Sequence, residues 1–167
     1  MFVILNNNSN NCKIENNTLK NKLKSKGFGY NVNLNYHLDL FESFYLLEKK
    51  KIEIKDKTNS IINITTMLEI CNKKIKNFED KYIVFKEYRD NGKIIKDGAL
   101  FGFDFRVYKN SKEHTHTQEV IDVKRTYKDT MKEIIKSERL ANSIHAKYIL
   151  AIIDNQKKII KIKIEKI

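Results

Sequence analysis

Three apolar segments in the second half of the chain have the patterns of β-strands, and a helical segment lies between them. Residues 99–109 alternate apolar and other side chains with a period of two, which predicts a strand with Tyr108 on its polar face. Residues 147–154 form an almost continuous apolar run typical of a buried central strand, and residues 157–167 alternate again, as an edge strand does. The apolar positions of residues 126–146 recur at helical spacing. This half is therefore predicted to form a sheet flanked by helices.

The first half contains short strand and helix patterns without a cluster of chemically active side chains. Residues 2–5 and 12–15 suggest a hairpin, and two later segments repeat apolar residues at helical spacing. Because the chain has no proline and few glycines, no flexible linker is expected between the halves. We predict an α+β chain: a small N-terminal α/β domain at residues 1–75, and a C-terminal domain at residues 76–167 with a central mixed sheet flanked by helices.

The formal net charge of +12 is the first indication of a partner. A surplus of this size attracts a phosphate backbone and releases counterions on binding, which favours nucleic acid. The alternative is that biased coding composition supplies the lysines without any ligand. The two explanations weigh about equally.

The sequence also predicts the cellular location of the chain and whether it needs disulfides, a metal ion or a cofactor. No apolar run approaches the roughly 18 residues that span a bilayer, and the amino-terminal residues lack the pattern of a secretory signal, so a cytoplasmic protein without membrane association is expected. Cys12 and Cys71 lie far apart and outside a C-x-x-C spacing, which argues against a disulfide framework or a cysteine zinc site. His114 and His116 have no carboxylate or cysteine partner at a fitting spacing, so neither a metal nor another cofactor is expected.

Residue types suited to RNA cleavage occur together in the second half: a tyrosine on a predicted strand, two histidines in the next loop, and a basic helix followed by a strand. Cleaving RNA without a metal requires a base that takes the 2′-OH proton, an acid that protonates the departing 5′ oxygen, and a cation beside the pentacovalent phosphorane. Histidine suits the acid best, because its ordinary pKa of about 6.5 lets it release a proton around neutral pH. By itself this pattern is weakly specific.

The order of the motifs is more specific. The chain contains YIVFKEYRDNGKIIKDG, then FGFDFRVY, then HTQEVIDV, then RLANSIHAKYILAIID. This succession resembles the archaeal tRNA-intron endonuclease family, which shows a tyrosine-containing helix, a G-x-x-x-G-x-D-F-R-x-Y strand, a His-Ser or His-Thr loop entering a strand, and an S-V-x-K-K-L-x-L-A-I-V-D segment. The match is close over residues 79–154, and residues 26–57 resemble the family's amino-terminal domain. The whole chain thus resembles the short, homotetrameric form.

The resemblance implies an activity and a set of site residues. The activity is metal-independent cleavage of precursor tRNA at bulge-helix-bulge sites, leaving a 2′,3′-cyclic phosphate and a 5′-hydroxyl, with the folded shape of the bulge selecting the site. The general base falls on Tyr108 and the acid on His116. His116 is preferred to His114 because Thr117 and the spacing to the next strand reproduce the family's step from loop into strand. Arg139 falls on an arginine that stacks on a flipped-out bulge base in relatives.

The chain departs from the family at the catalytic lysine. Aligning Ser143 and Asp154 with the family's segment places Ala146 at that position and Lys147 on its less critical neighbour. Three explanations compete: an engineered Lys-to-Ala change that traps uncut substrate, a naturally inactive subunit, or Lys147 acting after a one-residue shift. The engineered change is favoured, since a one-residue shift on a strand turns the side chain to the opposite face. Losing the cation predicts a rate lower by a factor of hundreds, about 3 kcal/mol, while RNA binding survives.

The expected assembly and the alternative functions follow from the same departures. Relatives carry an acidic loop after the AIVD strand that docks into a neighbouring subunit, whereas only Asp154 remains here, so a homodimer competes with a homotetramer. The first alternative function is a non-catalytic subunit that orients RNA for an active partner, and Ala146 is its supporting feature. The second is a basic RNA-binding protein that shares only the fold and binds any duplex.

Overall fold

The computed structural model describes residues 2–6, 11–108, 116–125 and 131–165. The chain divides into two compact units, Met1–Phe78 and Glu79–Ile167. None of the helices in the described part of the chain is both long and apolar enough to cross a membrane.

A six-stranded sheet and three helices make up the described part of the first unit. The elements are β1 (Phe2–Asn6), β2 (Asn11–Ile14), α1 (Asn17–Ser25), β3 (Tyr30–Val32), β4 (Asn35–Asp39), α2 (Leu40–Glu48), β5 (Glu53–Lys55), β6 (Ile61–Ile62) and α3 (Ile64–Lys74). The strands lie in the order β3-β4-β2-β1-β5-β6. β1 and β2 form the predicted antiparallel hairpin, and β5 pairs in parallel with the other edge of β1.

The buried carboxylate of Glu42 connects the turn before β3 to the start of α2. Its two oxygens each accept the backbone N–H of Gly29 at 3.0 Å, and Oε2 also accepts that of Asp39 at 3.3 Å. The Asp39 side chain accepts the N–H of Glu42 at 2.8 Å, which completes a capping box. Gly29 has a φ of +80°, and a Cβ there would overlap the Tyr36 ring. Burial, and then the charge of Glu42, raise the pKa of Tyr36 to about 12.

The described part of the second unit is a five-stranded sheet with helices. Its elements are α4 (Phe78–Asp90, whose first residue ends the first unit), β7 (Ile94–Asp97), β8 (Phe105–Tyr108), β9 (Glu119–Lys124), α5 (Met131–Ser143), β10 (Lys147–Ile153) and β11 (Ile159–Ile164). The strands lie in the order β11-β10-β9-β8-β7, with β9 and β10 parallel and the other pairs antiparallel. The predicted α+β class with a mixed sheet flanked by helices is confirmed, and β11 is an edge strand as expected.

The two faces of this sheet are covered by different helices. On one face Phe85 of α4 packs against Phe105 of β8, with ring centroids 6.0 Å apart. On the other face Ile134 and Ala141 of α5 pack in a buried cluster with Val120 of β9. We name these the α4 face and the α5 face. Since strand side chains alternate, each residue of β8, β9 and β10 can be assigned to one of them from the strand register.

The prediction of a strand over residues 99–109 is wrong for the first half of that segment. Ala99–Phe101 form a 3₁₀ helix, Gly102 ends it with a φ of +80°, and β8 begins only at Phe105. The side chain of Tyr108 is also not on a solvated polar face, because it is only 5% exposed. Alternation of side chains recurs in tight turns that carry aromatic residues, and the sequence pattern alone did not separate the turn from the strand.

Replacing Glu42 with glutamine tests the buried carboxylate. We expect Glu42→Gln to lower the free energy of unfolding by about 2 kcal/mol, because charge-assisted hydrogen bonds to backbone N–H groups are replaced by weaker ones and one buried amide group lacks an acceptor. Glu69→Gln, on the exposed face of α3, removes the same charge and should change stability by less than about 0.5 kcal/mol. Urea denaturation of both variants measures the difference, and equal losses would contradict the role of Glu42.

Candidate active site

One end of the five-stranded sheet gathers the residues that the sequence predicts to act on RNA. The backbone of Gln118, just before β9, joins the two neighbouring strands. Its N–H donates to the carbonyl of Val107 at 2.8 Å, and its carbonyl accepts the N–H of Lys147 at 2.9 Å. The three predicted residues each lie within two positions of one of these partners: Tyr108, His116 and Ala146.

Tyr108 and Ala146 lie on the same face of the sheet. Arg106, two residues before Tyr108 on β8, is in register with Val120, and Ala146 packs against the cluster that contains Val120. Both positions therefore belong to the α5 face. Lys147 is the next residue along and begins β10, so its side chain lies on the α4 face. The two candidate positions for a lysine thus lie on opposite faces, and position 146 is the one that shares a face with Tyr108.

The turn between α5 and β10 fixes the position of Ala146. The N–H of Ala146 donates to the carbonyl of Ala141 at 3.0 Å, and that of His145 donates to the carbonyl of Asn142 at 3.0 Å. His145 has a φ of +56°. These two bonds around a left-handed residue form a Schellman motif, in which the residue after the left-handed position makes an apolar contact with the last turn of the helix. Ala146 makes that contact, since it packs against the cluster that contains Ala141.

His116 is exposed and lies two residues before Gln118. His114 lies outside the described residues, so the preference for His116 as the acid stays a prediction. Residues 116–118 lead into β9 without a regular element, so His116 precedes the end of the sheet at which β8 finishes.

Arg139 lies on the exposed side of α5, near the same end of the sheet. It lines a cavity of about 650 Å³ together with His145 and Ile164. A second cavity of about 400 Å³ is lined by Ala146 and Lys147, among others, and shares His145 and Ile164 with the first. Arg139 and position 146 therefore border adjoining parts of one groove along the carboxyl end of α5. Neither Tyr108 nor His116 lines these two cavities.

Asp122 ties β10 and α5 together on the α5 face. Its Oδ2 accepts the hydroxyl of Tyr148 at 2.9 Å and that of Ser137 at 3.4 Å. Burial raises the pKa of Asp122, and the hydrogen bond from Tyr148 offsets part of that rise. The start of β10 is therefore tied to β9 and α5 through Tyr148, two residues after Ala146.

The α4 face carries a second group of polar side chains, which are in contact with one another. The hydroxyl of Tyr88 donates to Glu119 at 3.1 Å, and the Nζ of Lys161 lies 4.3 Å from the centre of the Tyr88 ring while pairing with Glu87 at 2.7 Å. Burial, followed by the charge of Glu119 and its hydrogen bond, raises the pKa of Tyr88 well above its ordinary range. Tyr88 therefore stays protonated at neutral pH and is a structural hydrogen-bond donor.

Arg106 is a contact of Tyr108 to which the sequence assigned no role. Its guanidinium carbon lies 5.6 Å from the centre of the Tyr108 ring and 4.1 Å from that of Phe101, and its Nε donates to the carbonyl of Asp97 at 3.4 Å. The sequence feature that indicates this contact is a basic residue two positions before a tyrosine on a strand, which places both on one face. Because the strand was predicted to extend back to Phe101, the stacking of Phe101 on Arg106 could not be foreseen.

Among the residues that the structure describes, no group of three or more His, Cys, Asp and Glu side chains could hold a metal ion. Both cysteines are buried as free thiols.

Two family models match the chain. The tRNA intron endonuclease catalytic C-terminal domain matches residues 78–161, and the tRNA intron endonuclease N-terminal domain matches residues 8–68. The tRNA-splicing endonuclease of Thermococcus onnurineus is 32% identical over 83% of this chain and 80% of the relative. That of Pyrococcus furiosus is 30% identical over 84% and 82%, and that of Methanopyrus kandleri is 25% identical over 80% and 75%.

Glycine at position 145 tests the turn that sets Ala146. We expect His145→Gly to raise the free energy of unfolding by about 0.5–1 kcal/mol, because the Cβ of a left-handed residue is strained and glycine removes it. His145→Ala keeps the Cβ and should bring no such gain. Urea denaturation compares the two variants with the parent chain, and a gain shared by both would mean that the imidazole, rather than the backbone, was destabilising.

Proposed function

The chain belongs to the tRNA intron endonuclease family, and we propose that it cleaves precursor tRNA at intron–exon junctions folded as a bulge-helix-bulge. The observation that carries the proposal is the convergence of Tyr108, His116 and position 146 on one end of one sheet through the backbone of Gln118. In this proposal residues 1–75 are the N-terminal domain and residues 76–167 the catalytic domain, with that boundary still a prediction.

Tyr108 and His116 take the two proton-transfer roles. Tyr108 acts as the base that removes the proton of the 2′-OH, the 2′ oxygen attacks the adjacent phosphorus, and the bond from phosphorus to the 5′ oxygen breaks. His116 gives its proton to that departing oxygen. The products are a 2′,3′-cyclic phosphate and a 5′-hydroxyl, and the reaction uses no metal ion. The exposed position of His116 supports a role as acid, because the departing RNA strand must reach it.

Position 146 is where this site lacks a cation. Ala146 shares the α5 face with Tyr108, whereas the neighbouring Lys147 lies on the other face, and this supports Ala146 as the residue that stands at the lysine position. An uncharged residue there leaves the phosphorane without one stabilising charge, which slows cleavage by a factor of about 100 or more and leaves binding intact. We favour a Lys-to-Ala change at 146 that inactivates an otherwise complete site.

RNA recognition uses the groove that runs from Ala146 along α5. Arg139 borders that groove on an exposed helix surface, where its guanidinium can stack on a base flipped out of the bulge. The net charge of +12 favours the phosphate backbone around it. The chain works in the cytoplasm, where precursor tRNA is processed.

Self-association completes the proposal, as a homodimer or a homotetramer. β11 is an edge strand, and its Ile160 and Ile162 are 51% and 37% exposed, which suits pairing with a second copy across a two-fold axis. The carboxylate of Asp154 accepts the N–H groups of Gln156 and Lys158, each at 2.8 Å, so it stabilises its own turn. A docking contact through acidic side chains of that turn has little support, and the dimer is favoured.

Ala146 also favours a second candidate function. In that alternative the chain is a non-catalytic subunit that binds and orients RNA, and the cut is made by an active partner. The two candidates differ in whether restoring a lysine restores cleavage by this chain alone.

Cleavage of a bulge-helix-bulge RNA in the presence of a chelator tests the proposal. We expect Ala146→Lys to cut at least about 100-fold faster than the parent chain, because the cation returns beside the phosphorane, a difference of about 3 kcal/mol. Gln156→Lys adds the same charge at an exposed turn and should leave the rate unchanged. If neither lysine variant cuts while a copurified subunit does, the non-catalytic alternative replaces the proposal. Equal cutting by the parent chain and Ala146→Lys would show that another cation already serves.

A further inference from the structure

The side chain of Arg106 is held in one orientation by three groups. The guanidinium stacks on Phe101 at 4.1 Å, lies over Tyr108 at 5.6 Å, and donates through Nε to the carbonyl of Asp97. Stacking on an aromatic ring leaves the in-plane N–H groups of a guanidinium free to point outward. Among the described residues, Nε makes a hydrogen bond and neither terminal nitrogen of Arg106 does, so both terminal nitrogens can donate to a ligand.

The charge of Arg106 is on the face that the reaction uses. It is in register with Val120, so it shares the α5 face with Tyr108 and Ala146. Lys147 lies on the α4 face. Lys161, another cation at the same sheet, pairs with Glu87 on that α4 face. Arg106 is therefore a cation that the structure places against the ring of the proposed base.

We propose that Arg106 binds the phosphate at the cleavage site, donating hydrogen bonds from its two terminal nitrogens to the non-bridging oxygens. This inference rests on the proposed function and names a further residue of the same site. Arg106 forms and breaks no covalent bond. It supplies a positive charge and two hydrogen-bond donors beside the phosphate, where the 2′ oxygen forms its bond to phosphorus and the 5′ oxygen leaves. A guanidinium suits this contact because its fork matches two phosphate oxygens at once.

The contact explains how RNA stays bound in a site without the lysine. The phosphate is charged before and after the reaction, so a residue that binds it contributes to RNA affinity even where the cleavage rate is low. Arg106 is already stacked and oriented, so it loses little conformational freedom when RNA arrives. Lys147, exposed and on the other face, has no such orientation.

The first test measures affinity with a bulge-helix-bulge RNA that carries a 2′-deoxy group at the cleaved nucleotide and therefore cannot be cut. We expect Arg106→Gln to weaken binding tenfold or more, and Lys158→Gln, which removes the same charge from the exposed turn before β11, to weaken it less than twofold. Arg106→Lys keeps the charge and most of the aliphatic stem but not the fork, and its loss of affinity should fall between those of the other two variants. Equal losses in Arg106→Gln and Lys158→Gln would overturn the inference, as would parental affinity in both Arg106 variants.

The second test identifies the phosphate itself. A methylphosphonate at the cleavage site removes the charge and one oxygen of that phosphate, and it should weaken binding to the parent chain tenfold or more. If Arg106 holds that phosphate, the same substitution should cost Arg106→Gln less than twofold more, because the contact is already lost. If the methylphosphonate instead weakens binding to Arg106→Gln as much as it weakens binding to the parent chain, Arg106 binds elsewhere and the inference is overturned.

The two tests separate the inference from the proposed function. If Ala146→Lys fails to cut the ordinary RNA but the methylphosphonate loss disappears in Arg106→Gln, the cleavage proposal falls and the phosphate contact stands. If Ala146→Lys cuts and Arg106→Gln keeps both its affinity and its full response to the methylphosphonate, the function stands and the role of Arg106 falls.

Discussion

The backbone of Gln118 is the interaction on which the site depends. One residue donates to β8 on one side and accepts from β10 on the other, so the end of β8 and the starts of β9 and β10 lie side by side. The parallel pairing of β9 and β10 makes this possible, because it puts the start of both strands at the same end of the sheet where the antiparallel β8 finishes. Tyr108, His116 and Ala146 therefore come from three different segments and lie near the same end of the sheet.

The alternation of side chains along each strand then decides which residues near Gln118 share a face of the sheet with Tyr108. Adjacent residues on β10 lie on opposite faces, so a cation moved by a single position is on the wrong side of the sheet for Tyr108. On the α4 face, Glu119 accepts a hydrogen bond from Tyr88 and Lys161 pairs with Glu87, so these four side chains stabilise the fold. On the α5 face the groove beside α5 is open and is bordered by Arg139. The sheet thus has one structural face and one face suited to a ligand.

The sequence predicted the regular elements well and the turn before β8 poorly, for a physical reason. The tail and the helix α5 are long enough for their periods to be distinctive, and both formed where the pattern placed them. Residues before β8 carry the same alternation, but a Cβ at Gly98 would lie 2.9 Å from the backbone of Phe103 and Phe105, so the chain there folds tightly on itself. The N–H of Gly98 donates to the carbonyl of Asp104 and closes that turn. Such contacts depend on the path of the backbone after Gly98, and the alternation of side chains carries no information about that path. For the same reason the sequence did not predict the stacking of Phe101 on Arg106, whereas the order of the motifs led to Tyr108, His116 and position 146, whose roles stay a prediction.

The end of α5 explains why alanine at position 146 is compatible with the fold. The Schellman motif requires an apolar contact from the residue after the left-handed one, and the methyl group of Ala146 supplies it against the cluster around Ala141. A lysine supplies the same contact with its methylene stem and carries its ammonium outward, since long basic side chains cover apolar surface with the stem and keep the charge in water. The two residues are therefore nearly equivalent for the helix end and differ in what they present beyond it. The backbone turn is set by the left-handed His145 and by the hydrogen bonds of His145 and Ala146, so it does not depend on side-chain atoms beyond the Cβ of residue 146.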